Sequence, residues 1–446
     1  MAHAAGQQQM KQQQVKQQPK QASQQGKSVP KKPAEGHKAP VKPPGGYDAQ
    51  RQALKPPIHL KNAAKPEQAA ATADAGAAPA TVCPFMAPQL GGPFATLAEV
   101  EAAMAAQPGV IGDIFIDLPS NAVVHVEQQT TWYHYNPEQR LVLRGNGAEI
   151  SGKVADPTAP EGWRPTPGYC ISYRPLVGPD TAGRDQNGKR VAKPAAANIS
   201  VSGLTISGFE NGGIEISPQT SSTVAGQPLD PNLPPGLAAH EAVCKDGKYY
   251  DGGIDAFVSG AQIDNCHFKD LGTLYSKEGE ANTSTRRFGA GGVLMRGVMN
   301  ATVSNNHFTG LEAGQVNGKD GSHLMHAVYL NNMSQNAKIL NNTFDTISGD
   351  PIRVSDASND AQVQGNTSRN AGKKSFLSAW HHYDPDKAVP QEWTTWKGKD
   401  GKSRRKPAAD IGAMNTIGTG YKQKRKPAPF QQKRHTGERA DFGNPT

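Results

Sequence analysis

Cysteine is scarce, four residues in 446, and Cys83, Cys170, Cys244 and Cys266 lack any CxxC spacing. That argues against a disulfide-stapled scaffold and against a thiolate zinc site. Aromatic residues make up only 6% of the chain. No apolar run is long enough to cross a bilayer, and no N-terminal segment combines a charged start, an apolar core and a small-residue cleavage site. A soluble protein is expected, one that reaches the outside by a route independent of a signal peptide or as part of a particle, and that otherwise stays cytoplasmic. No GxxxxGK[ST] loop is present, so nucleotide-dependent chemistry has no support, and Gly145-Asn146-Gly147 reads as a strand-ending turn.

Charge of one sign is missing from the ends. Residues 1–80 hold 12 Lys and Arg against 4 Asp and Glu, residues 397–446 hold 13 against 4, and the middle holds 23 against 31. The sequence pI near 9.2 therefore describes the ends and not the body between them. Both ends are rich in Gln, Lys, Pro, Gly or Ala and poor in residues that build a core, so they are expected to be disordered. The domain reading is a disordered arm over 1–80, a folded body over 81–396 and a disordered basic tail over 397–446. Basic arms suit a polyanion (nucleic acid, acidic polysaccharide or a membrane surface), and they equally suit simple solubility.

What the body does contain is a recurring phrase. It reads Val201-Gly203-Ile206-Phe209, Ile263-Asn265-Phe268-Leu271, Val303-Asn305-Phe308-Leu311 and Ile339-Asn341-Phe344-Ile347, with a degraded copy at Val363-Gly365-Ser368-Ala371. Each copy alternates like a short strand and then sets Gly or Asn where the backbone must turn left-handed. A second phrase accompanies it at Gly213-Ile214-Glu215-Ile216, Gly253-Ile254-Asp255-Ala256, Gly292-Val293-Leu294-Met295, Ala327-Val328-Tyr329-Leu330 and Pro351-Ile352-Arg353-Val354. The steps from Val328 to Ile352 and from Ile339 to Val363 are both 24 residues. One turn of a solenoid consumes such a step. Cys266 holds the repeat position of Asn306 and Asn342, which reads as a small buried residue; a Cys244–Cys266 bridge is open only in an oxidising compartment. Upstream, Thr96-Leu97-Ala98-Glu99 is a capping box, Leu97, Val100 and Met104 share a helical face, and Pro108-Gly109 ends the helix before alternating Ile114, Ile116 and Leu118.

These phrases, and the helix before them, make the sequence from about residue 94 to 380 similar to the parallel β-helix proteins of the pectate-lyase-like superfamily. The resemblance implies an all-β, right-handed parallel β-helix with a short N-terminal capping helix, in which Asn at the turn and Phe in the interior stack from coil to coil. It implies less about activity, because that superfamily holds lyases, hydrolases, epimerases, tailspikes and adhesins.

A site is sought where insertions accumulate. The span from Ile339 to Ile352 takes 13 residues, whereas Ile263 to Val293 takes 30 and Val303 to Val328 takes 25, so extra chain leaves one corner of successive coils. A segment near 227–250 is expected at the same corner if Val224-Gly226-Leu229 is a further turn phrase. Beside that wall, alternation points Ile214, Ile216, Val293, Met295, Val328, Leu330, Ile352 and Val354 inward. One outward column then reads Glu215, Asp255, Leu294, Tyr329, Arg353, and the next Ser217, Phe257, Arg296, Asn331, Ser355. At about 4.8 Å per coil the strip spans roughly 20 Å, enough for several sugar units.

Two chemistries fit the strip. β-Elimination from a uronate polymer needs a cation on the carboxylate, a base and an acid. Arg353 and Arg296 suit the cation, Tyr329 the acid, and Lys319, His323 and His326, on the inserted loop before Tyr329, are further bases; in the manner of β-helix lyases an arginine also serves as base. Hydrolysis needs two carboxylates, and Glu215 with Asp255 on consecutive coils would stand about 5 Å apart. The aspartate set and His-Gly signature that the resemblance implies for polygalacturonases are not found, so elimination is preferred. Phe257, Asn331, Glu215 and Asp255 are expected to contact an acidic polysaccharide, and Glu215 with Asp255 to hold a divalent cation such as Ca2+. The rival reading is a non-catalytic glycan-binding or structural solenoid of adhesin or tailspike type, with which an oligomer is compatible. His267 and His307 share a repeat position on adjacent coils, as a solvent-facing ladder or a metal pair.

Overall fold

Asn265, Asn305 and Asn341 turn the chain with φ of 50°, 56° and 55°, and Gly203 and Gly365 do so with φ of 63° and 68° at the same repeat position. An L residue other than Asn or Gly pays steric strain there. Every turn therefore starts the next strand in the same direction.

The structure is a computed structural model, and it describes residues 83–134, 138–177, 194–196, 199–220, 223–224, 227–228, 257–275, 290–316, 319–332, 334–355, 358–381 and 395–434. All belong to the compact unit Ala77–Thr446. The arm expected over residues 1–80 lies outside the described residues. Among the described residues, no helix is long and apolar enough to cross a membrane.

Three parallel sheets run the length of the body. The first is built from Gly112–Asp117, Gln139–Arg144, Ile199–Ser202, Gln262–Asp264, Thr302–Ser304, Lys338–Leu340, Ala361–Gln364 and Ala409–Ile411. The second follows one turn later in each coil, from Val123–His125 through His267–Leu271, His307–Leu311 and Thr343–Ile347 to Thr416–Ile417. The third includes Thr130–His134, Tyr169–Val177, Gly212–Ile216, Ala290–Arg296, Met325–Asn331, Ile352–Ser355, Ser375–His381 and Ala428–Arg434. The fold is a right-handed parallel β-helix. Its N-terminal end carries the expected helix, Leu97–Ala106, with Thr96 accepting from the Glu99 N–H at 3.1 Å and with Leu97, Val100 and Met104 buried.

Interior order comes from two columns. Phe268, Phe308 and Phe344 stack with ring centroids 4.8 and 5.4 Å apart, and Phe376 closes the column 6.1 Å from Phe344. Phe376 comes from the third sheet, above the coil where the second-sheet copy has Ser368 in register with Phe344. The other column is an amide ladder. Asn306, Asn342, Asn366 and Asn415 each accept, through Oδ1, the backbone N–H of the corresponding residue one coil before, at 2.9–3.0 Å. Each also donates Nδ2–H to a carbonyl of that preceding coil, as Asn342 does to Val303 at 2.9 Å. Cys266 ends the ladder as a free, buried thiol, pushed up to about 12 by burial, and Cys244, its possible bridge partner, lies outside the described residues.

Two sequence expectations fail. The basic tail expected to be disordered from residue 397 contributes a whole further coil, with Val363 in register with Ile411, Ser368 with Ile417 and Leu377 with Phe430. This coil needs few apolar residues because only one of its ends faces the core. The third sheet has no gap between Gly212–Ile216 and Ala290–Arg296 for the strand expected from Gly253-Ile254-Asp255-Ala256, and those four residues lie outside the described ones. Gly212–Ile216 pairs directly with Ala290–Arg296, and Thr205–Ser207 pairs directly with His267–Leu271. The supposed turn phrase at Val224 is instead part of a small antiparallel pair, Thr223–Val224 with Gln227–Pro228. Between Ile216 and Gln262 the chain passes from the third sheet to the first, whereas between Leu271 and Ala290 and between Leu311 and Met325 it passes from the second to the third, at the opposite edge of the third sheet.

Candidate functional site

Strands of the first sheet alternate buried and accessible, as in Ile199–Ser202, but Gly212–Ile216, Met325–Asn331 and Ile352–Ser355 are buried at every position. The outer face of the third sheet is therefore withdrawn from solvent, although alternation puts polar and charged side chains on it. Charges so placed need partners, and most of the described ones are found on neighbouring coils.

Register fixes the columns. Ser172, Glu215, Leu294, Tyr329, Arg353, Ser378 and Gln431 follow one another coil by coil. Beside them Arg296 pairs in register with Asn331. The sequence reading thus brought Glu215, Tyr329, Arg353, Arg296 and Asn331 to one face. Asp255 is not in the column, since the neighbour of Glu215 is Leu294, and Asp255 itself lies outside the described residues. Phe257 begins the strand Phe257–Ser259 of a separate small sheet with Pro194–Ala196 and Val298–Met299; its side chain lies outside the described residues. Lys319 stands on a two-residue strand paired antiparallel with Gln315–Val316 in the loop before Met325, and its side chain is likewise outside them.

At one end of the strip Glu215 is surrounded by cations. Its Oε2 accepts from Arg174 Nη2 at 2.7 Å and from Ser172 Oγ at 2.8 Å, while Oε1 faces Arg296 Nε at 3.5 Å. Burial acts to raise the carboxyl, but Arg174, Arg296 and Ser172 outweigh it and hold the group below the usual glutamate value. A carboxylate shared by two guanidinium groups has no room for a divalent cation and repels one through its partners. The register sets Leu294 and not Asp255 beside Glu215, and Asp255 lies outside the described residues, so the described strip does not contain the expected carboxylate pair. Ser172 and Arg174 were not singled out in the sequence. Their signal was available in the alternation of Ile171 and Tyr173, both buried in the core, with polar residues between.

Toward the other end stand His326, Tyr329 and Arg353. The backbone N–H groups of Ala327 and Val328 both donate to the Pro351 carbonyl, at 2.9 and 3.0 Å, which is a bulge of two residues opposite one. The bulge turns both Ala327 and Val328 into the core and leaves His326 on the same face as Tyr329. His326 is thus part of the strand, not of the inserted loop. Its Nδ1–H donates to the Asp350 carbonyl at 2.7 Å, so Nε2 carries the lone pair that faces Arg353 Nη1 at 3.5 Å. Burial first, then the Arg353 charge, pushes the imidazole down to about 3, and the ring is neutral near pH 7. The Tyr329 oxygen accepts from Ser355 Oγ at 3.1 Å and from Asn331 Nδ2 at 3.5 Å. The His326 and Tyr329 rings meet edge to face, 5.3 Å apart.

Elsewhere, His267 and His307 form a ladder with rings stacked 4.7 Å apart and 7° from parallel, and Thr309 is bonded to His307 Nε2. Among the described residues no group of three or more His, Cys, Asp or Glu converges as metal ligands would. Trp396 is exposed on the hairpin Thr395–Lys397 with Ser403–Arg405.

The chain is similar to a solved structure of the Streptococcus pneumoniae surface protein and adhesin PfbA, at 12% identity over 72% of this chain and 73% of that one, with a TM-score of 0.28. No protein-family model and no curated protein matches the sequence.

Proposed function

We propose that this β-helix acts on an acidic polysaccharide laid along the third sheet and cleaves it by β-elimination at His326, Tyr329 and Arg353. The observation that carries the reading is the contact of these three side chains, from two consecutive coils, on a face otherwise lined by Arg296, Arg174 and Asn331. Elimination asks for a cation against the uronate carboxylate, a neutral base for the carbon acid beside it, and an acid for the departing oxygen. Arg353, assisted by Arg296, meets the first need, the His326 Nε2 lone pair the second and the Tyr329 phenol the third. The low basicity of His326 is itself coupled to substrate. A carboxylate bound to Arg353 offsets its charge, a lesser cause of the depression than burial, and makes the ring a stronger base when a proton is to be taken. Hydrolysis is disfavoured, because among the described residues the column offers Glu215 without a second carboxylate and Glu215 is held by two arginines.

A second reading is favoured by burial. Tyr329 and Arg353 are only 3% and 7% exposed, which suits a structural polar layer in a non-catalytic glycan-binding solenoid of adhesin type. Incubation with pectate, alginate and glycosaminoglycans separates the two. Growth of the absorbance of an unsaturated uronate supports elimination; binding of a polymer without that signal, at any pH, favours the non-catalytic solenoid.

A further inference from the structure

The last coil, which holds Ala409–Ile411, Thr416–Ile417 and Ala428–Arg434, carries an ordered cluster of cations at the corner between the second and third sheets. Residues 420–427 read Gly-Tyr-Lys-Gln-Lys-Arg-Lys-Pro. Gly420 N–H donates to the Arg425 carbonyl at 2.9 Å and Gln423 N–H to the Gly420 carbonyl at 3.1 Å, with Lys422 at φ 48°, so the loop closes on itself. It also rests on the coil below. Tyr421 N–H donates to the Gly372 carbonyl, Lys422 N–H to Asn370 Oδ1 and Ala428 N–H to the Lys374 carbonyl, each at 3.1 Å. The Tyr421 hydroxyl is hydrogen-bonded to the Glu312 carboxylate two coils further down, on the inserted wall.

This anchoring presents charge. Lys374, Lys422, Lys424, Arg425 and Lys426 are all exposed. The nearby acids are already engaged: Glu312 with Tyr421, Asp345 with Arg369, and Asp350 with the backbone N–H groups of Lys374 and Ser375. Among the described residues, Lys374, Lys424, Arg425 and Lys426 have no anionic partner. Like charges held this close in a fixed loop repel one another, a cost that a bound polyanion removes.

We infer that this corner is an anion-binding subsite for the same acidic polysaccharide, one that engages its carboxylate or sulfate groups beyond the reacting sugar. The inference rests on the elimination reading only for the identity of the polymer. Position argues for a polysaccharide over a nucleic acid. The loop runs directly into Ala428–Arg434, whose Gln431 continues the column of Arg353 and Ser378, so a chain on the strip two coils, about 10 Å, past Arg353 crosses the strand that the loop feeds, with the loop's end at Ala428 roughly 10 Å to the side. The loop also offers no open aromatic face for a base, since Tyr421 is buried. Partners with dense negative charge are therefore selected over neutral glycans.

The test compares the full chain with its Lys424→Gln/Arg425→Gln/Lys426→Gln variant, measuring affinity for pectate, alginate and a sulfated glycosaminoglycan over a series of salt concentrations. The slope of log affinity against log salt is expected to fall by about two to three in the variant, with at least about tenfold weaker binding near 0.1 M salt. Lys424→Arg/Arg425→Lys/Lys426→Arg, which keeps the charge, is expected to keep both. Native binding with an unchanged slope in the neutral variant overturns the subsite and leaves the elimination reading standing. Loss of turnover in Arg353→Ala with the salt slope retained supports the subsite whatever the chemistry. Binding of duplex DNA through these three residues, with no acidic polysaccharide bound, overturns the subsite and the polysaccharide reading together.

Discussion

The Arg353 guanidinium carbon lies 5.3 Å from the centre of the Tyr329 ring, one coil away and in register with it. The phenol thus sits beside a fixed positive charge while its oxygen accepts from Ser355 and Asn331, two influences that stabilise a developing phenolate. Tyr329→Phe keeps the ring and removes the acid, so turnover on the cleaved polymer is expected to fall about 10²- to 10³-fold with little change in KM. Arg353→Ala should lose as much in kcat and raise KM as well. Initial rates of unsaturated-uronate formation, with circular dichroism to confirm folding, check both. Unchanged kcat in Tyr329→Phe removes the phenol from the mechanism.

His326 gives the fold a pH dependence of its own. Its folded value, about 3, lies below the ordinary 6.5, so the unfolded chain binds the proton more readily. The sign follows from linkage. The stability associated with the neutral buried ring is fully present above about pH 6.5 and is lost progressively as pH falls toward 3. Denaturant unfolding of the full chain between pH 7.5 and 4.5 should show stability declining well above the carboxylate range. In His326→Gln that early decline should be smaller, the remainder coming from His267, which burial and then His307 also hold below the ordinary value. A native profile that is flat down to pH 5 would show that the ring is not buried in neutral form.

How far the sequence foretold this arrangement depended on whether a feature is local. Asn265, Asn305 and Asn341 announce their turns because few residue types tolerate left-handed backbone, and Phe268, Phe308 and Phe344 recur because each fills the same interior gap. Once those repeats set the register, Glu215, Tyr329 and Arg353 had to share a face. Register itself is not local. Gly253-Ile254-Asp255-Ala256 has the wording of a third-sheet strand, but nothing in four residues says whether first- and second-sheet strands precede it, and here they do not. The last coil was hidden for the opposite reason: Ile411, Ile417 and Phe430 are few apolar residues among many cations, yet they suffice where neighbours on one side already supply the core. The outward turn of His326 depends on a bulge of one residue, which apolar alternation does not reveal.

The amide ladder yields a prediction in both directions. Asn342 Oδ1 accepts the Asn306 N–H and its Nδ2 donates to the Val303 carbonyl, all without access to water. Asn342→Leu strands both backbone groups and should cost about 2 to 4 kcal/mol. At the other end, Cys266 Sγ lies 3.8 Å from the Val201 carbonyl, the place an asparagine Nδ2 takes one coil later. Cys266→Asn should extend the ladder and add about 1 kcal/mol. Urea unfolding of the two variants beside the native chain measures both changes; a destabilised Cys266→Asn would mean that the coil around Val201 is too tight for an amide.

The final coil separates two truncations. Ending the chain after Arg434 removes no described strand, and its unfolding midpoint is expected to match that of the full chain. Ending it after Trp396, where composition alone places the boundary, strips Ala409–Ile411, Thr416–Ile417 and Ala428–Arg434 from all three sheets. The edges of Ala361–Gln364, Thr367–Ala371 and Ser375–His381 then lie bare, Leu377 and Val363 lose the residues stacked on them, and Asn366 loses the Asn415 amide that accepts its N–H. Lost apolar burial and unpaired backbone together should cost on the order of several kcal/mol, and bare parallel edges invite association with a second chain. The shorter form is accordingly expected to melt lower, to bind a hydrophobic dye and to elute as larger species with rising concentration. A monomeric, equally stable protein ending at residue 396 would mean that the coil contributes nothing to closing the helix.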